Sequence, residues 1–156
     1  FKKTRGKTLD IPFQRLTYRE AMSKYGSDKP DLRFALELVD ATALMKKTKV
    51  KAFKDNDVTF CLNAKDCADF SRKQLDILNT LAQVHHAKGL FWIKWGEDGP
   101  LTKHLSKEEL ASLGKHMKAK KGDLLLLTAD DFTIATTALG EVRKHIATIK
   151  NFTYIL

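Results

Sequence analysis

Four groups of residues have types and spacings that could do chemistry. His85 and His86 could ligate a metal, and Cys61 could act as a nucleophile with a histidine base. The pairs Glu108-Glu109 and Asp130-Asp131 could divide acid and base work between two carboxylates. The fourth group is cationic and aromatic: Trp92 beside Lys94, and Lys115, Lys118, Lys120 and Lys121 near one helix end, which could stack on bases and meet phosphate.

The elements that carry these residues favour plainer roles. Adjacent histidines on a helix diverge by about 100° and cannot clasp one ion as a pair four apart does. Cys61 alternates with Phe60 and Leu62 in a predicted strand, which makes it a buried structural thiol; Cys61 and Cys67 form neither a disulfide framework nor a zinc site. Both acidic pairs fall at predicted helix starts, where free amides and the helix dipole favour carboxylates. A thiol enzyme using Cys61 is a third functional reading, and it requires an exposed, fast-labelling thiolate.

Lys88-Gly89-Leu90-Phe91-Trp92-Ile93-Lys94-Trp95 shares part of the RNA-recognition-motif signature, in which strand aromatics stack on bases. Leu90 replaces the first stacking aromatic, and bulky Phe91 replaces a small residue. The two-residue period puts Phe91, Ile93 and Trp95 on one face, toward the core, and leaves Trp92 beside Lys94 as the candidate exposed platform. Lys115 to Lys121, with His116, complement a helix dipole as a solvated face would, and could also meet phosphate. The P-loop and the dinucleotide glycine fingerprint are absent.

Three capping boxes organise the chain: Thr17 with Glu20, Ser71 with Gln74 and Ser106 with Glu109. The first predicts a helix ending at Gly26, followed by a break at Ser27 to Asp31 where Pro30 cannot continue it. Asp40 predicts a short helix over Ala41 to Leu44. Lys49 to Phe53 and Val58 to Leu62 flank a polar turn and predict a β-hairpin. Ser71 opens a helix to about Ala87, Leu90 to Trp95 is a strand, and Ser106 opens a helix to about Lys118. Leu124 to Leu127 is a buried strand, and Asp130 or Asp131 caps a last helix in which Gly140 predicts close packing. This order suits an α+β, two-layer sandwich: a mainly antiparallel sheet with helices on one face.

A chain of 156 residues with 43% hydrophobic and 30% charged residues is sized for one soluble domain, or one domain with an arm. Its net charge of +9 attracts polyanions, and nine Lys/Arg against four Asp/Glu fall within Phe1 to Arg33. No apolar run nears the ~20 residues of a membrane span, and the first seven residues lack a signal-peptide core. The cytosol, or an organelle, is the expected compartment. A first residue of Phe rather than Met predicts a piece of something longer.

Phe13-Gln14-Arg15-Leu16-Thr17-Tyr18-Arg19-Glu20-Ala21-Met22-Ser23-Lys24-Tyr25-Gly26-Ser27-Asp28-Lys29-Pro30-Asp31-Leu32-Arg33-Phe34 closely resembles the segment leading into the insertion domain of bacterial-type aspartyl-tRNA synthetases. The resemblance continues, in the family's order, through Ser71 to Asp76, Ala87 to Leu90, Gly99 to Leu105, Gly122-Asp123 and Leu139-Gly140-Glu141-Val142-Arg143. His85-His86 depart from it, standing where the family has an aromatic residue and a glycine. The resemblance implies a GAD domain of β2-α-β2-α fold with an inserted helix, over residues 34–150. Residues 1–33 would then be an arm and helix at the edge of the catalytic domain, and 151–156 a tail toward its missing part.

It also implies that the full enzyme, a homodimer, activates L-aspartate with ATP and transfers it to tRNA-Asp, with Mg²⁺ countering phosphate charge. The partners of this piece would be the catalytic and anticodon-binding domains of the same chain, with no membrane. No ATP, aspartate or metal ligand is implied at any position here: Gly140 to Arg143 is not the family's glycine run, and no Phe-Arg-Asp/Glu occurs. The piece is expected to bind no cofactor and to be inert alone. Ser27, Asp28, Lys29, Asp31 and Arg33 are the candidate docking residues for the catalytic body. The alternative is a free-standing basic RNA-binding α+β module using Trp92, Lys94, Lys115, Lys118, Lys120 and Lys121.

Overall fold

The computed structural model describes residues 15–150, so the expected arm up to residue 14 and the tail 151–156 lie outside the described residues. In chain order the elements are α1 (Tyr18–Tyr25), β1 (Leu38–Asp40), α2 (Thr42–Met45), α3 (Lys51–Lys54), β2 (Val58–Ala64), α4 (Arg72–Val84), β3 (Phe91–Lys94), a 3-10 turn (Thr102–His104), α5 (Lys107–Met117), β4 (Leu124–Asp130) and α6 (Phe132–Ile149).

All three capping boxes form. Thr17, Ser71 and Ser106 accept from the amide three residues on, and the Glu20, Gln74 and Glu109 side chains accept from the cap amide in return. α1 ends on Gly26 at φ 67°, the left-handed geometry that glycine adopts without a Cβ clash. Asp131 caps α6 by accepting from the Ile134 amide at 2.9 Å.

The sheet order is β1-β2-β4-β3, and every neighbouring pair is antiparallel. β4 is central and buried along its whole length, which explains its run of four leucines: alternation with polar residues vanishes when both faces are covered. Leu124 and Leu126 enter one core with Phe60, Leu62, Leu78 and Leu139, under α4 and α6. Leu125 and Leu127 enter a second with Met45, Phe53, Ile93, Leu113 and Met117, under α2, α3 and α5. The α+β class on an antiparallel sheet is as expected. The helices cover both faces of that sheet, with α2, α3 and the inserted helix α5 on the second face.

The hairpin expected from Lys49 to Phe53 does not form. Residues 51–54 make one helical turn that drives Phe53, 0% exposed, into the second core, where its ring meets Phe91 with centroids 4.9 Å apart. β2 pairs instead with β1, Leu38 opposite Leu62 and Asp40 opposite Phe60. β1 has only three residues, too few to display a period. The Asp40 carboxylate accepts from the Thr42 amide at 2.8 Å, so it does serve the short helix it was expected to start.

Candidate functional site

β3 is an edge strand, and a groove of about 650 Å³ opens beside it. Leu90, Phe91, Trp92 and Leu101 supply its apolar wall, while Lys49, Lys51, Arg72 and His104 supply its cationic rim. Trp92 is half-buried, packed against the first core, rather than a free-standing platform. Ile93 is buried as the alternation requires, and Phe91 and Trp95 pack half-buried on the second core. Trp95 lies on Gly114 so closely that a Cβ there would meet the indole Cζ2 at 2.2 Å. That contact keeps Trp95 out of any stacking role. Lys94 is half-exposed at the end of β3.

Lys115, Lys118, Lys120 and Lys121 are all exposed, clustered where α5 ends and turns toward β4. Lys118 sits in the left-handed region at φ 51° and ends the helix. What orders this turn is Asp123, 4% exposed. Its carboxylate accepts from the Lys120 amide at 2.9 Å, the Asp66 amide at 3.2 Å and Asn63 Nδ2 at 3.2 Å. Asn63 Nδ2 also donates to the Met117 carbonyl at 3.1 Å. The lysines are thereby presented on an ordered turn, a role for Asp123 that its place in Gly122-Asp123 did not reveal.

The candidate docking residues lie between α1 and β1. Asp28 and Lys29 are exposed and Ser27 half-buried. Asp31 and Arg33 turn on each other: Arg33 Nε and Nη2 donate to the two Asp31 oxygens at 2.9 and 2.6 Å, and the Arg33 amide donates to Oδ1 at 3.0 Å. Those bonds, the guanidinium's first, hold the Asp31 carboxyl down at about 2.

Beneath them lies Arg143 of α6, 1% exposed. Its Nη2 donates to the carbonyls of Asp31 at 2.7 Å and Phe34 at 3.2 Å, and its Nε donates to the carbonyl of Leu36. The guanidinium also stacks on Phe34, 4.1 Å from the ring centroid, and on Tyr25 at 5.0 Å. Burial lowers its pKa, and the nearby acidic groups offset part of that effect, Asp31 most. The Tyr25 hydroxyl donates to Glu37 at 3.1 Å; burial first, and the Glu37 charge next, push its pKa up. One buried side chain thus ties three carbonyls of a single irregular segment, residues 31–36, to the last helix.

The remaining candidates have structural placements. His85 closes α4, and His86 takes φ 69°, so the pair straddles a helix end. Among the described residues no group of three or more His, Cys, Asp or Glu is arranged to hold a metal ion. Cys61 and Cys67 are both 0% exposed, and burial pushes Cys67 up to about 11 and Cys61 higher still. Asp130 is buried and accepts from the amides of Asp131 at 3.0 Å and Lys88 at 3.3 Å, and Glu109 caps α5. The thiol-enzyme reading and the paired-carboxylate reading have no geometry to stand on.

Compared with known proteins, residues 43–139 match the GAD domain. The chain belongs to the GAD domain family. It is 41% identical over 155 residues to the aspartate–tRNA(Asp/Asn) ligase of Persephonella marina, and 42% over 154 residues to that of Heliobacterium modesticaldum. It is 43% identical over 155 residues to the aspartate–tRNA ligase of Clostridium tetani. In each case the similarity covers 94% of this chain and 26% of the relative, so the chain spans about a quarter of the length of these curated relatives.

The matched range of this GAD domain runs from α2 into α6 and stops at Leu139, one residue before Gly140 and four before Arg143. β1 lies outside it, yet forms the sheet's other edge. α1 and the turn after it are also outside, and they are joined to the GAD domain by the buried contacts of Gly140 and Arg143. No helix among the described residues is long and apolar enough to cross a membrane.

Proposed function

We propose that this chain is the non-catalytic GAD insertion of an aspartate–tRNA ligase, a module that braces the catalytic part of that enzyme. The observation that carries it is similarity to aspartate–tRNA ligases over 94% of this chain but 26% of their length. Under this reading ATP, Mg²⁺ and L-aspartate are handled by the catalytic part, outside this chain, tRNA-Asp is the substrate of the whole enzyme, and that enzyme is a cytoplasmic homodimer. The bracing role is supported by Arg143 and Gly140. They fix residues 31–36 and the end of α1 to α6, so that force on the exposed Asp28 and Lys29 passes to the folded domain rather than into a slack linker.

A second reading places tRNA near the lysine turn. It is favoured by four exposed lysines, Lys115 in the last turn of α5 and Lys118, Lys120 and Lys121 on the following turn, where buried Asp123 holds the Lys120 amide. It requires affinity for tRNA that falls steeply with salt, since each neutralised phosphate releases counterions.

The gene on both sides of this segment tests the main reading. It is supported by a continuous reading frame with an Arg-Glu motif upstream and a glycine run ending in Arg downstream. A reading frame that starts just before Phe1 and stops just after Leu156 would overturn it.

A further inference from the structure

The edge of β3 carries features that the ligase reading leaves unused. β3 ends the sheet order, so one long side of Phe91–Lys94 has no strand beside it among the described residues. The direction of its backbone groups follows from the ladder. The Trp95 amide donates to the Asp123 carbonyl, and the Gly122 amide donates to the Trp95 carbonyl, so Trp95 faces β4. Direction alternates along a strand; Ile93 and Phe91 therefore bond to β4, while Trp92 and Lys94 turn their backbone groups outward. The Leu90 amide is held by Asn79 Oδ1 at 2.9 Å, and the Lys94 carbonyl accepts from the Glu97 amide at 3.1 Å. Between these two ends, the outward ladder positions are the Trp92 amide and carbonyl and the Lys94 amide.

The groove on that side has Phe91 and Trp92 in its wall and Lys49, Lys51, Arg72 and His104 at its rim, with no carboxylate among its lining residues. Lys51 and Arg72 do meet Asp55 at 4.0 Å and Asp76 at 3.2 Å, but as exposed, solvent-screened pairs that leave the rim positive. We propose that this groove takes an extended, acidic segment of another polypeptide, which adds to β3 as a fifth strand. Its backbone completes the Trp92 and Lys94 ladder, its successive side chains fall in turn on the Phe91 and Trp92 faces of the sheet, and its carboxylates meet the rim.

The competing occupants fit less well. A nucleic-acid strand presents phosphate acceptors but no regular row of donors, so it matches the outward amides and leaves the Trp92 carbonyl unpaired. A second copy of this chain would bring the same cationic rim and its own Lys94 against this one. A four-residue edge bearing a lysine also resists uncharged and basic strands, which narrows the choice to acidic ones.

The test titrates this chain, followed by amide NMR and hydrogen exchange, with a blocked octapeptide alternating valine and glutamate. The proposal expects a saturable shift below about 1 mM peptide, with exchange at the Trp92 and Lys94 amides slowed about tenfold or more. It expects the valine–lysine counterpart, and a version with proline at the centre, to bind at least about tenfold more weakly. The Lys49→Glu/Arg72→Glu double variant should lose about tenfold in affinity while its amide spectrum away from the groove is unchanged. No saturation below 1 mM, equal binding of the valine–lysine peptide, or displacement of the acidic peptide by oligouridylate at lower concentration would overturn the proposal. Each readout is local to β3, so its failure leaves the ligase reading untouched, and the reverse also holds.

Discussion

Gly140 of α6 lies directly on Gly26 at the end of α1: a Cβ placed on Gly140 would meet the Gly26 carbonyl oxygen at 2.6 Å, and one on Gly26 would meet the Gly140 Cα at 2.7 Å. Both clashes are with backbone, which cannot rotate away. The glycine that costs helix propensity in mid-α6 is what lets α1 approach it.

Gly140→Ala is therefore expected to destabilise the fold, by about 1–3 kcal/mol for an overpacked contact, despite alanine's better helix propensity. Urea denaturation measures it. A neutral or stabilising outcome would mean that α1 does not seat on α6 as described.

Arg143→Lys keeps the charge but loses the planar fork that reaches the Asp31, Phe34 and Leu36 carbonyls. Hydrogen bonds to a charged donor are worth about 1.5–3 kcal/mol each, and the lysine can restore at most part of them, so a loss of roughly 2–3 kcal/mol is expected. Hydrogen exchange should accelerate selectively over residues 31–37. Uniform acceleration across β2 and β4 instead would assign Arg143 to global stability rather than to this segment.

The Asp31 carboxyl, held at about 2 by Arg33 against an ordinary 3.8, gives a pH prediction. Its folded-state pKa is depressed, so its stabilisation is fully present above the unfolded value and is lost as pH falls through about 2. Carbon-detected NMR titration should find Asp31 ionised well below pH 3.8 in the native chain, and Arg33→Gln should move it back toward that value.

Thiol labelling addresses the two cysteines. Both are buried with raised pKa values, Cys67 at about 11, so a disulfide reagent at neutral pH should react slowly with the native chain and at the free-thiol rate once urea unfolds it. Fast native labelling would contradict the burial of both.

Much of this fold is legible in the sequence because its signals are local. The boxes at Thr17, Ser71 and Ser106 each involve residues three apart, and each forms as predicted. Gly140 could be flagged as a close-packing site, though its partner Gly26, over a hundred residues away, could not. The failures are non-local. Lys49 to Phe53 looks like half of a hairpin because so short a stretch beside a polar turn does not separate a strand from one helical turn; burial of Phe53 against Phe91 selects the helical turn. Three-residue β1 is defined by its pairing with β2, which no local pattern encodes. α5 covers the second face because β4 is apolar on both sides, a meaning of four consecutive leucines visible only once its neighbours are in place.

The candidate site shows the same division. Exposure of the lysines at Lys115 to Lys121 follows from their type, but the anchoring by Asp123 depends on Asn63 and Asp66, about sixty residues upstream. Arg143 carries no sequence sign of burial, since arginine is seldom buried without partners, and its partners are main-chain carbonyls. The candidate docking residues Asp31 and Arg33 read as two separate charges in sequence and prove to be paired with each other.

Aspartate-dependent exchange of pyrophosphate into ATP by the purified 156-residue chain is the most direct measurement. An insertion module that leaves ATP and aspartate to a separate catalytic part should give no exchange above the enzyme-free rate, while the full-length ligase containing it exchanges readily. Exchange by the chain alone, dependent on L-aspartate, would contradict a non-catalytic GAD domain.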